Sequence, residues 1–126
     1  MPTVLVVDDE RMIRRLLTRI LEHEGFTVIT AESGPEAISA ARAHAAPIDL
    51  LISDVSLHGM DGPSVAGELL ALEPGMKVLF ISGEEQTERC LGFEFLGKPF
   101  ALSILIDKVR SLVLAPQSLG AGGIVR

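Results

Sequence analysis

The sequence predicts a doubly wound α/β fold, a five-stranded parallel sheet with helices on both faces, and three observations carry that prediction. Short apolar, β-branched runs alternate with segments of helical periodicity along most of the chain. The middle runs are almost continuously apolar, as strands buried on both faces require. Three of the runs end on charged groups: Val6-Val7-Asp8-Asp9, Ile52-Ser53-Asp54 and Gly97-Lys98-Pro99. In an open parallel sheet the C-terminal strand ends lie side by side, and ligands bind in the crevice they form.

Thr3–Val7 is apolar and β-branched and reads as the first strand. Met12 or Ile13, Leu16, Leu17, Ile20 and Leu21 then repeat at helical spacing, and Gly25 ends that helix. Phe26–Ala31 forms the second strand. Ser33 is placed as an N-cap, Pro35 suits an early helical position, and Ala37, Ile38 and Ala41 give the second helix its inner stripe before Pro47. Ile48–Ser53 is the third strand, followed by a loop from Val55 to Pro63 and a helix over Val65–Leu72 that stops at Pro74-Gly75. Met76–Ile81 is the fourth strand. The polar segment Glu84–Leu91 has room for only about two turns at roughly 3.6 residues each, so the fourth helix is shortened. Phe93–Leu96 is the fifth strand and Leu102–Leu114 the last helix. Right-handed crossovers favour the flavodoxin-like strand order 2-1-3-4-5. Residues 1–115 are expected to form one domain, with the glycine-containing stretch 116–126 as a flexible tail.

A chain of 126 residues with 48% hydrophobic content can fill a single core. It contains no apolar run long enough to span a bilayer, and its N-terminus lacks the basic, apolar and small-residue pattern of an export signal. One cysteine, Cys90, allows no internal disulfide, which fits a cytoplasmic setting. A net charge of −6 argues against a nucleic-acid surface. Arg11, Arg14, Arg15 and Arg19 cluster, but they are interspersed with Glu10, Glu22 and Glu24 and read as a solvated helix face.

Hard cations such as Mg²⁺ prefer oxygen ligands and keep several waters. Asp9 and Asp54 are expected to coordinate one directly, with the Ser56 backbone carbonyl as a third protein ligand and Asp8 acting partly through water. Crowded carboxylates repel one another, and a divalent ion relieves that repulsion. A carboxylate can also attack phosphorus to give an aspartyl phosphate. Lys98 then offers a compact charge to one phosphoryl oxygen and Ser82 a hydroxyl to another.

On these residues the chain resembles the receiver domain of two-component response regulators over about residues 3–114. The matching pieces are Val-Val-Asp8-Asp9-Glu10, Asp54 followed by Leu57-His58-Gly59-Met60-Asp61-Gly62, Phe80-Ile81-Ser82-Gly83, and Phe95-Leu96-Gly97-Lys98-Pro99-Phe100. The resemblance implies that Asp54 accepts a phosphoryl group from a histidine kinase or phosphotransfer protein, and that Asp8 and Asp9 hold Mg²⁺. It also implies that Ser82 is a switch hydroxyl, Phe95 a switch aromatic, Lys98 a phosphate contact, and the Lys98–Pro99 peptide cis. Such a protein is no enzyme beyond its own phosphotransfer and slow autodephosphorylation; it controls a downstream protein, here unknown. A docking module unregulated by phosphate, or a fragment of a hybrid kinase or larger regulator, is the alternative.

Two departures from the family pattern stand out. His58 occupies the loop position where the family usually has proline, freeing that loop and bringing an imidazole near the pocket. The span from Ser82 to Lys98 is short, and its polar segment is expected to become ordered when Ser82 engages phosphate, with a monomer favoured over a dimer. Ser56 and Glu84 flank the attack path. Glu10 and Asp61 read as a helix-start charge and a loop cap, and Cys90 as an inert half-buried residue. An aspartyl phosphatase would need a substrate-binding cap for which the chain has no room. A nucleotide or flavin binder would not place Asp8-Asp9-Glu10 against a phosphate.

Overall fold

Side-chain parity builds the molecule. In β1 (Thr3–Val7) every residue is buried, and successive side chains enter opposite layers. Leu5 and Val7 join one core and Val4 and Val6 the other. The same alternation runs through β3 (Leu50–Asp54), with Leu51 on the first side and Leu50 and Ile52 on the second. In β4 (Lys77–Ser82), Val78 and Phe80 face the first core, Leu79 and Ile81 the second. Strands β2 (Thr27–Ala31) and β5 (Glu94–Gly97) lie at the two edges. The sheet is wholly parallel in the order β2-β1-β3-β4-β5, as the sequence predicts. This computed structural model describes residues 2–57, 59–83 and 93–114.

Helices cover both faces, which a sheet apolar on both sides requires. On the first face lie α2 (Gly34–Ala43), through Ala37 and Ala41, and α3 (Gly62–Leu72), through Val65, Ala66 and Leu69. On the second lie α1 (Arg11–His23), through Leu17 and Leu21, and α4 (Leu102–Leu114), through Leu105 and Val109. Ser33 caps α2 as anticipated, its hydroxyl accepting the Glu36 N–H at 3.3 Å. Of the apolar positions at helical spacing in α1, Leu17 and Leu21 are buried and Ile13, the alternative to Met12, is half-buried against the second core, while Met12 and Leu16 remain 77% and 41% exposed.

Several boundaries differ from those read off the sequence. Strand β3 begins at Leu50, because Ile48, although buried, gives its N–H to the Glu73 carboxylate at 3.3 Å and not to a strand ladder. Strands β4 and β5 are each shifted one residue later than expected, starting at Lys77 and Glu94 in place of Met76 and Phe93 and ending at Ser82 and Gly97. Helix α3 starts at Gly62, not Val65. Asp61 caps it by accepting the Ser64 N–H at 2.8 Å, and Pro63 occupies the first turn, where its missing N–H costs nothing. The shortened fourth helix, the ordering of its segment and the tail at 116–126 lie outside the described residues.

Gly62 fixes how closely α3 approaches the end of β3. Its N–H donates to the Val55 carbonyl at 2.8 Å, and a Cβ there would lie 2.4 Å from the Asp54 carbonyl oxygen. Backbone must therefore move to admit any side chain. Gly62→Ala should destabilise the fold by about 1–3 kcal/mol in urea denaturation. Gly67→Ala, in the same helix with nothing within 4 Å of the added carbon, should instead stabilise it by roughly 0.5–1 kcal/mol.

Candidate functional site

Four strand ends, those of β1, β3, β4 and β5, converge on one pocket. Asp8 follows β1 and is fully buried. Its N–H extends the pairing with β2 by donating to the Ala31 carbonyl at 3.2 Å. Its carboxylate Oδ1 accepts the Glu10 N–H at 2.8 Å, an Asx-type turn that leads the chain into α1. Asp9, half-buried, is next to it. Asp54 closes β3 at 9% exposure, and its Oδ1 accepts the Ser56 N–H at 3.0 Å. The Ser53 hydroxyl donates to the Asp54 carbonyl at 2.8 Å, and the Val55 N–H to the Ile81 carbonyl at 3.1 Å, so the end of β3 is held from several directions.

Lys98 enters from the end of β5. Its backbone N–H donates to the Ser82 carbonyl at 2.7 Å, and its peptide bond to Pro99 is cis, as the family resemblance implied. The ammonium lies 2.9 Å from Asp54 Oδ2 and 3.4 Å from Asp8 Oδ2. Ser82, 3% exposed, ends β4 in register with Gly97. Phe95 pairs with Phe80 across the strands and is half-buried against the α2–α3 core. Phe93 meets Phe80 edge-on, ring centroids 5.5 Å apart. Asp8, Asp9, Asp54, Ser82 and Lys98, all selected from the sequence, thus belong to adjoining strand ends. Ser56 contributes its N–H to the Asp54 carboxylate. His58, Glu84 and Cys90 lie outside the described residues.

Burial pushes the Asp8 carboxyl up from its ordinary value. The Glu10 N–H and the Lys98 charge pull it down without reversing that, and the Asp54 charge adds to the rise. Burial acts on Lys98 in the opposite sense, yet Asp54 and Asp8 together win and hold its ammonium above the ordinary lysine value. One carboxylate oxygen each from Asp8, Asp9 and Asp54 fall within 4.8 Å of one another. This all-oxygen donor set suits a hard divalent cation and no soft metal.

Two residues in the pocket wall escaped the sequence reading. Arg14 is no part of a solvated face: its side chain is 16% exposed, and its Nη1 donates to the Asp8 carbonyl at 2.7 Å. Glu10, read as a helix-start charge, has its carboxylate 3.5 Å from the Lys98 ammonium, though at 63% exposure the pair is strongly screened. Helical spacing alone gives no sign of either contact, because each depends on how α1 is set against the strand ends.

The family model described as the response regulator receiver domain matches residues 4–110. Over 117 residues the chain is 38% identical to the sensor kinase CckA of Brucella abortus, spanning 88% of this chain and 12% of that protein. It is 32% identical to the C4-dicarboxylate transport transcriptional regulatory protein DctD of Rhizobium meliloti, spanning 86% of this chain and 25% of DctD. The chain is thus much shorter than these relatives. Among solved structures, the response regulator TrrA of Thermotoga maritima in complex with Mg(2+)-BeF superposes with a TM-score of 0.78 at 33% identity, covering 89% of this chain and 99% of that one.

The raised Asp8 carboxyl has a consequence for stability with a definite sign. A carboxyl whose folded value exceeds its unfolded value opposes folding when ionised, and that opposition fades as the pH falls through the folded value. In metal-free protein, Asp8→Asn should therefore raise the melting temperature at neutral pH. The gain should shrink as the pH falls through the raised Asp8 value, where wild-type Asp8 becomes neutral too. A thermal-denaturation series across pH checks this; a gain that does not change with pH contradicts it.

Proposed function

The chain belongs to the response regulator receiver domain family, and from that premise we propose that it is a phosphorylation-driven switch whose acceptor is Asp54. The observation that carries this reading is the Lys98 ammonium held 2.9 Å from Asp54 Oδ2 where the strand ends meet. An Asp54 carboxylate oxygen attacks phosphorus, the P–N bond of a phosphohistidine breaks, and the imidazole departs. Lys98 receives negative charge developing on one phosphoryl oxygen, and the Ser82 hydroxyl donates to another. Asp8, Asp9, Asp54 and the Ser56 backbone carbonyl would hold Mg²⁺, which when bound neutralises charge on the transferring group. The close oxygen cluster supports that assignment, as does the Mg(2+)-BeF complex of the related TrrA.

Phosphate capture by Ser82 removes a hydroxyl from the end of β4, and the Phe95 ring on the neighbouring strand follows it inward. The switched surface engages a downstream protein. The phosphodonor is a histidine kinase or phosphotransfer protein, and the unit, residues 1–115 with a tail at 116–126, works as a cytoplasmic monomer. It turns over no substrate beyond its own phosphotransfer and slow autodephosphorylation. A second reading, that the chain is the receiver portion of a longer sensor kinase, is favoured by the 38% identity to CckA, of which it spans 12%. Both readings share the same chemistry at Asp54. Among the described residues no helix is long and apolar enough to cross a membrane.

Incubation with acetyl phosphate and Mg²⁺ should add one phosphoryl group, seen by intact mass spectrometry. It should vanish in Asp54→Asn and on chelation of the metal. In Lys98→Ala the rate should fall by roughly 10²-fold or more, in line with the loss of one charge-stabilising contact. Phosphorylation of Asp54→Asn at the wild-type rate would show that the acceptor lies elsewhere.

A further inference from the structure

Among the arginines of α1, one behaves differently from its neighbours. Arg11, Arg15 and Arg19 are exposed, as a solvated helix face requires, while the Arg14 side chain is 16% exposed and turned back along the helix toward the end of β1. Its Nη1 donates to the backbone carbonyl of Asp8 at 2.7 Å, and its Nη2 lies 3.8 Å from the exposed Glu32 carboxylate just beyond β2. The guanidinium therefore reaches from one helix to the ends of two strands.

We propose that Arg14 is a positioning residue for the acidic pair, clamping the Asp8–Asp9 peptide from α1 and so setting the affinity of the pocket for a divalent cation. The proposal rests on the metal reading given above. The Asp8 carbonyl lies beyond Val7↔Ala31, the last paired position of β1 with β2, while the Asp8 N–H is already taken by Ala31. A buried carbonyl past the end of its ladder needs a partner, and a guanidinium N–H supplies a strong, charge-assisted one. The peptide is planar, so holding the Asp8 carbonyl also fixes the plane from which Asp9 departs. With the Asp8 N–H and C=O both held, the two carboxylates share a single registered origin. Arg14 does this through the main chain: the Asp8 carboxylate oxygens are met instead by the Glu10 N–H and Lys98. The cation thus orders the pair from behind without neutralising the Asp8 carboxylate directly. Groups that orient ligands from a second layer typically change metal affinity by about 10–100-fold when removed.

The test is titration of the metal-free protein with MgCl₂ by isothermal calorimetry, on wild type, Arg14→Ala, Arg14→Lys and the exposed neighbour Arg15→Ala. Arg14→Ala should weaken Mg²⁺ binding by about 10-fold or more. Arg14→Lys, which keeps the charge but loses the planar fork, should fall between, and Arg15→Ala should match wild type. With acetyl phosphate, the Mg²⁺ concentration for half-maximal phosphorylation should rise in Arg14→Ala while the rate at saturating Mg²⁺ stays close to wild type. A merely structural arginine would lower the melting temperature and leave the Mg²⁺ affinity unchanged, and that result overturns the proposal. Should Arg14→Ala fail to fold, Arg14→Gln is titrated in its place, and wild-type affinity in that variant overturns the proposal equally. Absence of Mg²⁺ binding by the wild-type protein itself would instead overturn the metal reading, and this inference with it.

Discussion

The crowding of carboxylates at the strand ends is the constraint around which the rest is arranged. Asp8 has no exposure to water, Asp54 very little, and Asp9 lies close enough for one oxygen of each to fall within 4.8 Å. Buried like charges repel strongly, and a single ammonium shared between Asp8 and Asp54 offsets only part of that. Such a pocket favours any species that adds positive charge at the carboxylates. Under the proposed function, a phosphoryl group would give Lys98 a new anion to face, and the group that balances the free pocket would also stabilise the modified one.

Holding repelling groups together requires a frame that does not yield, and the frame here is the two-sided sheet. Leucine, isoleucine and valine from β1 and β3, with Phe80 from β4, fill both layers to zero exposure, and packed interiors transmit strain instead of absorbing it. Among the described residues, the chain leaving the strand ends is tied down by backbone bonds. Val55 is bonded to Ile81, Gly62 returns to Val55, and Lys98 is held to Ser82 through its backbone N–H. The carboxylates and their counter-charge come from different strands, so their spacing is set by strand pairing more than by any loop. Beneath the pocket, Phe95 and Phe93 flank Phe80 from one edge, placing a packed aromatic group beside the strand that ends at Ser82.

Local chemistry made much of this legible. The parity of Val4 to Val7 and of Leu50 to Ile52 announces two buried faces, and charges that end apolar runs announce strand termini on one side of a parallel sheet. Boundaries were less legible where a side chain competes with the backbone. Asp61 extends α3 by a turn beyond the apolar pattern, and Glu73 draws the Ile48 N–H away from a strand ladder. Neither effect has a period, so neither is visible in hydrophobic spacing.

By itself the sequence determined the strand order, the two-faced core and the acidic and basic groups of the pocket, because periodicity and strand-end charge are properties of neighbouring residues. Tertiary structure alone decided which oxygen meets which cation. It set Lys98 between Asp54 and Asp8, brought the Glu10 carboxylate to the rim, pressed Gly62 against the Asp54 carbonyl, and turned Arg14 away from its exposed neighbours onto the Asp8 backbone. Those contacts join residues from separate elements, and their distances follow from how α1, α3 and the strand ends pack, a quantity no local pattern encodes.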